Sequence, residues 1–389
     1  MLMQCGSRTI FRAVVLSAAV VCGAAEVMAQ APARAEGGRL GEAFRERLEA
    51  LDLSPSQQTA VRRLVGEYRG RLRSEAFREA FADLLTDEQR ATLARLRAGV
   101  RPSAEGDMKV TRDVAYDEHD GGDDVRRSLD IYAPADASGL PVMVFIHGGG
   151  WRQGDKGQAT EKGRFFAEHG HVFVSVNYRL SPAVQHPTHI EDVIRALAWV
   201  KTEIAAYGGD PARISVMGHS AGAHLAALAG VDTSRLAAEG LAPADLSTVI
   251  CLDGAGYDIS WQVNELGGAR VGPMFRSAFG NDEEGWNDAS PVVQAKTASD
   301  LPRYLIFHVA SRDDSRRQSQ RLAEAVRASG GQAAVVATPG KTHGTINREI
   351  GLDGDPVTAI VMRVLTAIEG GEDPFTPENL AYDDPESAE

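Results

Sequence analysis

The group in this chain best placed to do chemistry is a serine between small residues. Ser220 lies in Gly218-His-Ser-Ala-Gly222, a G-x-S-x-G pattern whose glycines let a strand turn sharply into a helix and lift the hydroxyl clear of a sheet. With 40 glycines in the chain the pentapeptide can arise by chance, so its surroundings decide. The apolar run Ile214-Ser-Val-Met217 leads straight into it, and a small-residue helix opens at Ala221. A hydroxyl is a weak nucleophile: it needs an imidazole to take its proton and a carboxylate to orient that imidazole, in the chain order serine, acid, histidine. Four of the ten histidines lie at or after residue 219. His219 is beside the serine, His224 is one turn along its helix and His308 sits within an apolar strand. His343, in the loop Pro339-Gly-Lys-Thr-His-Gly344, is left as the expected general base.

The acid is expected just past the strand that precedes the histidine. Asp313 and Asp314 compete there, after the apolar stretch 303–309, and Asp253 at the end of the previous strand is a third candidate. Attack on a carbonyl also needs donors where negative charge develops. The strand 142–147 ends in His147-Gly-Gly-Gly-Trp151, so the backbone N–H groups of Gly149 and Gly150, with that of Ala221, are the expected oxyanion donors. A phosphate-binding reading of these glycines lacks the accompanying G-K-[ST] or G-x-G-x-x-G. Trp151, Trp261, Met274, Phe275 and Trp286 are candidates for lining an acyl pocket.

These groups need a scaffold, and alternating strand and helix patterns beyond residue 105 supply one. Strands are expected near 108–116, 127–132, 142–147, 172–177, 213–217, 248–252, 303–309 and 332–337, and helices near 157–169, 188–206, 221–230, 316–329 and 356–369. Antiparallel strands first and βα units afterwards predict an α/β fold with a mostly parallel sheet covered on both faces. Residues 255–300 break the rhythm and read as a cap-like insertion; the acidic segment 371–389 reads as a disordered tail.

His147-Gly-Gly-Gly-Trp151, Val176-Asn-Tyr-Arg-Leu180, Asp192 with Ala198-Trp-Val200, Gly208-Gly-Asp-Pro211 and Gly218-His-Ser-Ala-Gly-Ala-His-Leu225 together resemble the carboxylesterases near the hormone-sensitive-lipase and kynurenine-formamidase branches of the α/β hydrolases. The resemblance spans about 108–369. It implies an eight-stranded sheet, no metal or other cofactor, and hydrolysis of small or medium esters through an acyl-enzyme. By spacing into Arg317 and the helix after it, the resemblance favours Asp314 over Asp313 as the acid. The chain departs from the family there: Val309-Ala-Ser-Arg-Asp-Asp-Ser315 stands where a Gly and an acidic-Asp-x-x-Val-Pro pattern are usual. An aryl-formamidase or a deacetylase of acetylated polysaccharide would share the same machinery. A reading of another class is a non-catalytic envelope binding or chaperone protein.

The 389 residues carry 54 acidic and 41 basic side chains, a net charge of −13. That balance excludes the basic stripe that nucleic-acid binding requires. Residues 1–29 combine Arg8 and Arg12 with the apolar run 13–25 and small residues near Ala29. This predicts a cleaved secretory signal and a periplasmic or secreted protein, since about 13 apolar residues fall short of the roughly 20 that span a bilayer. Cleavage would leave Cys251 as the one cysteine, expected as buried strand filler. A linker at 30–38 leads to a helical module at 39–100, where Leu53-Ser-Pro-Ser-Gln57 and Leu85-Thr-Asp-Glu-Gln89 repeat a capping-box start. The pair resembles the LTxxQ repeat of small periplasmic helical proteins related to the Spy chaperone. The acidic clusters at 117–120 and 123–124 lack the alternating ligands of a Ca²⁺ loop and read as a solvated turn.

Overall fold

The structure, a computed structural model, describes residues 53, 55–68, 108–117, 125–265 and 272–382, with five single positions between 77 and 85. The expected signal, the linker and most of the helical module at 39–100 lie outside the described residues, as does most of the acidic turn near 120. The chain divides into two units, residues 1–102 and 103–389. In the first, helix α1 (Pro55–Glu67) begins with proline in its first turn, where no backbone donor is lost. Leu53, Val61, Phe77, Phe81 and Leu85 form a small buried cluster, and Gln57 donates to the carbonyl of Leu84 at 2.8 Å. Leu53 and Leu85, the first residues of the two capping-box segments, both belong to that cluster.

The second unit is built on eight strands: β1 (Met108–Ala115), β2 (Ser128–Pro134), β3 (Leu140–Ile146), β4 (Val172–Val176), β5 (Gly209–His219), β6 (Leu246–Leu252), β7 (Arg303–Val309) and β8 (Ala333–Thr338). They form one sheet in the order β1-β2-β4-β3-β5-β6-β7-β8. β1 and β2 are antiparallel and β2 runs antiparallel to β4; from β4 through β8 every pairing is parallel. Side chains alternate across a strand, so β3 sends Val142, Val144 and Ile146 into one apolar layer and Met143 and Phe145 into the other. β7 divides Tyr304 and Ile306 from Leu305, Phe307 and Val309 in the same way. Strands buried on both faces need apolar residues at nearly every position, which is why they were easy to see in the sequence.

Helices cover both layers. α2 (Thr160–Glu168) lies on one side; α3 (Thr188–Glu203) and α4 (Ala221–Ala229) lie on the other. α3 buries Ile190, Val193, Ile194, Leu197 and Val200, a stripe at helical spacing. In the insertion at 255–300, α5 (Ile259–Glu265), α6 (Gly272–Phe279) and α7 (Glu283–Asp288) are short helices. They lead to α8 (Asp313–Ala328) and finally α9 (Pro356–Glu369). Asp355 caps α9, accepting from the Thr358 amide at 2.7 Å. Cys251 is buried in β6 as expected, and burial pushes its thiol up to about 12.

The expectation of a disordered tail is corrected for residues 371–382. Phe375, Leu380 and Tyr382 pack on the α9 layer. Arg363 of α9 donates to the carbonyl of Asn379 at 3.2 Å and to that of Ala381. Tyr382 donates to the carbonyl of Pro339 at 2.9 Å. Three apolar side chains and these bonds outweigh the acidic composition on which the expectation rested. Truncation after Gly370 removes that packing, worth about 2 kcal/mol for partly buried apolar residues. It should lower the thermal midpoint by about 4–8 °C in a fluorimetric melt.

Candidate active site

The parallel register sets the site. Ile146 of β3 pairs with Gly218 of β5, His219 with Leu252 of β6, and Leu252 with Phe307 of β7. The carboxyl ends of these strands therefore lie abreast, the position at which open α/β sheets carry their sites. The loop 147–151, Ser220, Asp253 and the 310–315 turn each leave one of these ends.

Ser220 sits at φ 55° and ψ −117°, the strained conformation of a strand-to-helix elbow. The flanking glycines are sterically required. A β-carbon on Gly218 would collide with the carbonyl of Gly222, and one on Gly222 with the carbonyl of Ile146. The Ser220 hydroxyl donates to His343 Nε2 at 3.1 Å, and His343 Nδ1 donates to Asp253 Oδ2 at 2.6 Å. His343 is 43% exposed and Asp253 is fully buried. The serine and histidine expected from the sequence are thus in contact.

The expected acid is corrected. Asp314 lies in the first turn of α8 and accepts from Arg312 Nη2 at 3.0 Å, not from His343. Asp313 is 57% exposed and paired with Arg316 and Arg317. The turn after β7 offers the histidine a cation, Arg312, whereas Asp253, just past the end of the neighbouring strand β6, offers it a carboxylate. Besides His343, Asp253 accepts from Arg312 Nη1 at 2.5 Å, Ser315 Oγ at 2.5 Å and the Val309 amide at 3.0 Å. Burial alone would raise its pKa. The bonds from His343 and Ser315, the Arg312 charge and the Val309 amide reverse that and hold it well below the usual carboxylate range. Asp253 is the third of the acids the sequence offers, and residue type and spacing alone do not point to Arg312 or Ser315 as its partners. The signal for Arg312 was the departure itself, an arginine in the turn where the family carries its acid.

His219, at the end of β5, donates from Nε2 to the carbonyl of His343 at 2.8 Å, fixing the backbone that carries that imidazole. Its ring lies 4.6 Å from that of His343. Burial, with His343 nearby, pushes His219 down to about 4, so it is neutral where this bond is needed.

The glycine loop runs against the elbow: a β-carbon on Gly148 would lie 3.1 Å from Ser220 Cβ. Gly149 and Gly150 adopt φ of 124° and 61°, which side-chain-bearing residues rarely reach. Tyr178 donates to the His147 carbonyl at 3.1 Å, and the Ser181 amide donates to the Trp151 carbonyl at 2.8 Å, so both ends of the loop are held. Asp192 in turn accepts from the Arg179 amide at 2.9 Å and its guanidinium at 2.8 and 2.6 Å, which explains those two motif residues. Trp151 is buried among His224, Phe275 and Phe279, with ring centroids 5.3, 5.3 and 4.7 Å away. Met274 is set against Gly150: a β-carbon there would lie 2.7 Å from its sulfur. Trp261 lies under the Arg321 guanidinium, 5.0 Å away, and Trp286 donates to the Gly280 carbonyl at 3.1 Å. Trp286 thus bonds within the insertion, while Trp261 is set against α8. Among the described residues no cluster of His, Cys, Asp or Glu is arranged to hold a metal ion.

A mostly parallel eight-stranded sheet with a serine elbow after β5 and a histidine loop after β8 defines an α/β-hydrolase fold. Residues 129–325, just over half of the chain, match the BD-FAE family model, and the chain belongs to that family. It is similar to isoprenylcysteine alpha-carbonyl methylesterase ICME of Arabidopsis thaliana, with 33% identity over 251 residues covering 60% of this chain and 56% of that protein. It is also similar to esterase LipQ of Mycobacterium tuberculosis, with 46% identity over 110 residues covering 27% and 26%. The chain spans less than three fifths of the length of the curated relatives it matches. Among solved structures, esterase B from Lactobacillus rhamnosis has a TM-score of 0.56 at 21% identity, over 73% of this chain and 94% of that one. The carboxylesterase EstE1, cloned from a metagenomic library, has 0.53 at 26% identity, over 74% and 96%.

A carboxylate whose folded pKa is depressed stabilises the fold above its unfolded value and loses that contribution as pH falls toward its folded one. The stability gap between wild type and Asp253→Asn should therefore be full at pH 6 and shrink steadily below about pH 4. Thermal midpoints of both proteins from pH 6 down to pH 3 measure it; a gap that stays constant means Asp253 holds no such charge.

Proposed function

We propose that the chain is a carboxylic ester hydrolase in which Ser220, His343 and Asp253 act as a catalytic triad. The observation that carries this reading is the unbroken path from the Ser220 hydroxyl through both nitrogens of His343 to a buried carboxylate. The esterases among its relatives and structural neighbours support the same reaction class on small-molecule esters.

In this reading Ser220 attacks the ester carbonyl while His343 Nε2 takes its proton, and Asp253 keeps Nδ1 protonated so that Nε2 is free to accept. The amides of Gly149, Gly150 and Ala221 receive the oxyanion. Collapse expels the alcohol with a proton from His343, leaving an acyl-enzyme. Water, deprotonated by the same imidazole, then releases the acid and restores the serine. Export is part of the proposal, supported by the charged, apolar and small-residue pattern of residues 1–29. N-terminal sequencing of the exported protein should then begin at Gln30.

Hydrolysis of p-nitrophenyl acetate tests the triad. Ser220→Ala should lose at least about 10⁴-fold in kcat, and Asp253→Asn about 10²- to 10⁴-fold. Asp314→Asn should lose less than about tenfold, because it touches neither the base nor the nucleophile. A collapse of activity in the Asp314 variant with Asp253→Asn still active would reverse the acid assignment.

A further inference from the structure

Arg312 stands where no general requirement of the triad places a cation. Its Nη1 lies 2.5 Å from Asp253 Oδ2 and 2.8 Å from His343 Nδ1. Both nitrogens are donors when the base is ready to accept from serine. They approach so closely because one carboxylate oxygen serves both. Nη2 is tied to Asp314 at 3.0 Å, and the side chain is 29% exposed.

Resting on the triad reading, we propose that Arg312 is a positioning residue that sets the acidic edge of activity: it shares Asp253 with His343 and opposes protonation of that imidazole. A lone buried aspartate would strongly favour the imidazolium. A guanidinium on the same oxygen offsets that pull, leaving Asp253 to orient the ring and fix its tautomer while less of its charge acts on the base.

The other groups facing His343 do not do this. His219 on β5 is neutral and bonds to the His343 backbone, with Lys162 of α2 acting on His219. Ser220 is uncharged. On the histidine's own loop, Lys341 is neutralised by Glu349 and by Asp355, the latter at 2.5 Å. Asp314 is turned to Arg312. The cation in direct contact with the base is Arg312 alone among the described residues.

The test is the pH dependence of kcat/KM for p-nitrophenyl acetate in wild type, Arg312→Met, Arg312→Gln and Arg312→Lys, with fluorophosphonate labelling of Ser220 and a thermal melt of each. Methionine keeps most of the apolar stem, so packing is retained if the glutamine variant does not fold. Removing the charge should move the acidic limb to higher pH, costing about three- to tenfold at pH 6 relative to the alkaline plateau. Lysine, which keeps the charge, should hold the limb near the wild-type position. A limb that stays put in both neutral variants, with Ser220 still labelled, overturns the proposal and leaves Arg312 as a structural ion pair whose loss shows only in the melt. Absence of Ser220 labelling in wild type overturns the triad reading and this one with it.

Discussion

The constraint on which the site depends is the burial of one negative charge. An isolated carboxylate taken fully out of water costs several kcal/mol even after relaxation, and Asp253 is fully buried. It stays ionised because four donors converge on it: the Val309 amide, the Arg312 guanidinium, the Ser315 hydroxyl and the His343 ring. These come from the last residue of β7, the turn after it, the first turn of α8 and the loop after β8. Satisfying the charge therefore fixes where those four segments meet, and His343 is held at the serine as one of the four ligands of that charge.

The second constraint is steric and lies on the other side of the nucleophile. Gly218 and Gly222 bring backbone against backbone, and Gly222 packs on the β3 carbonyl from which the glycine loop departs. Elbow and oxyanion loop are thus parts of one contact between neighbouring strand ends. Tyr178 and Ser181, from the segment after β4, hold that loop from outside. A rigid donor loop matters because amides fixed in advance need no reorganisation when charge develops.

The strands and the elbow are legible in the sequence because they depend on local rules: apolar runs for a sheet buried on both faces, and glycines where a β-carbon cannot fit. His343 was reachable by elimination, since only one eligible histidine lay in a loop after the last strand. The acid was not, because its identity depends on which strand end abuts the histidine loop in space. Both the β6 and β7 ends do so, and chain order cannot choose between Asp253 and Asp314. The tail was misread for a related reason: composition averages over Phe375, Leu380 and Tyr382, whereas packing depends on where those three land.

The acid and the arginine make sense as a single exchange. What the base requires is a negative charge at Nδ1, and it does not matter which strand supplies it. Once β6 supplies it, a second carboxylate in the turn after β7 would face Asp253 at short range in a medium where like charges repel strongly. That position is better filled by a neutral group or a cation. Arg312 goes further than neutrality: it binds Asp253 and pairs with Asp314 at 3.0 Å. In the proposed triad, the departure from the family pattern at 309–315 and the placing of the acid at residue 253 are therefore two consequences of the same electrostatic balance.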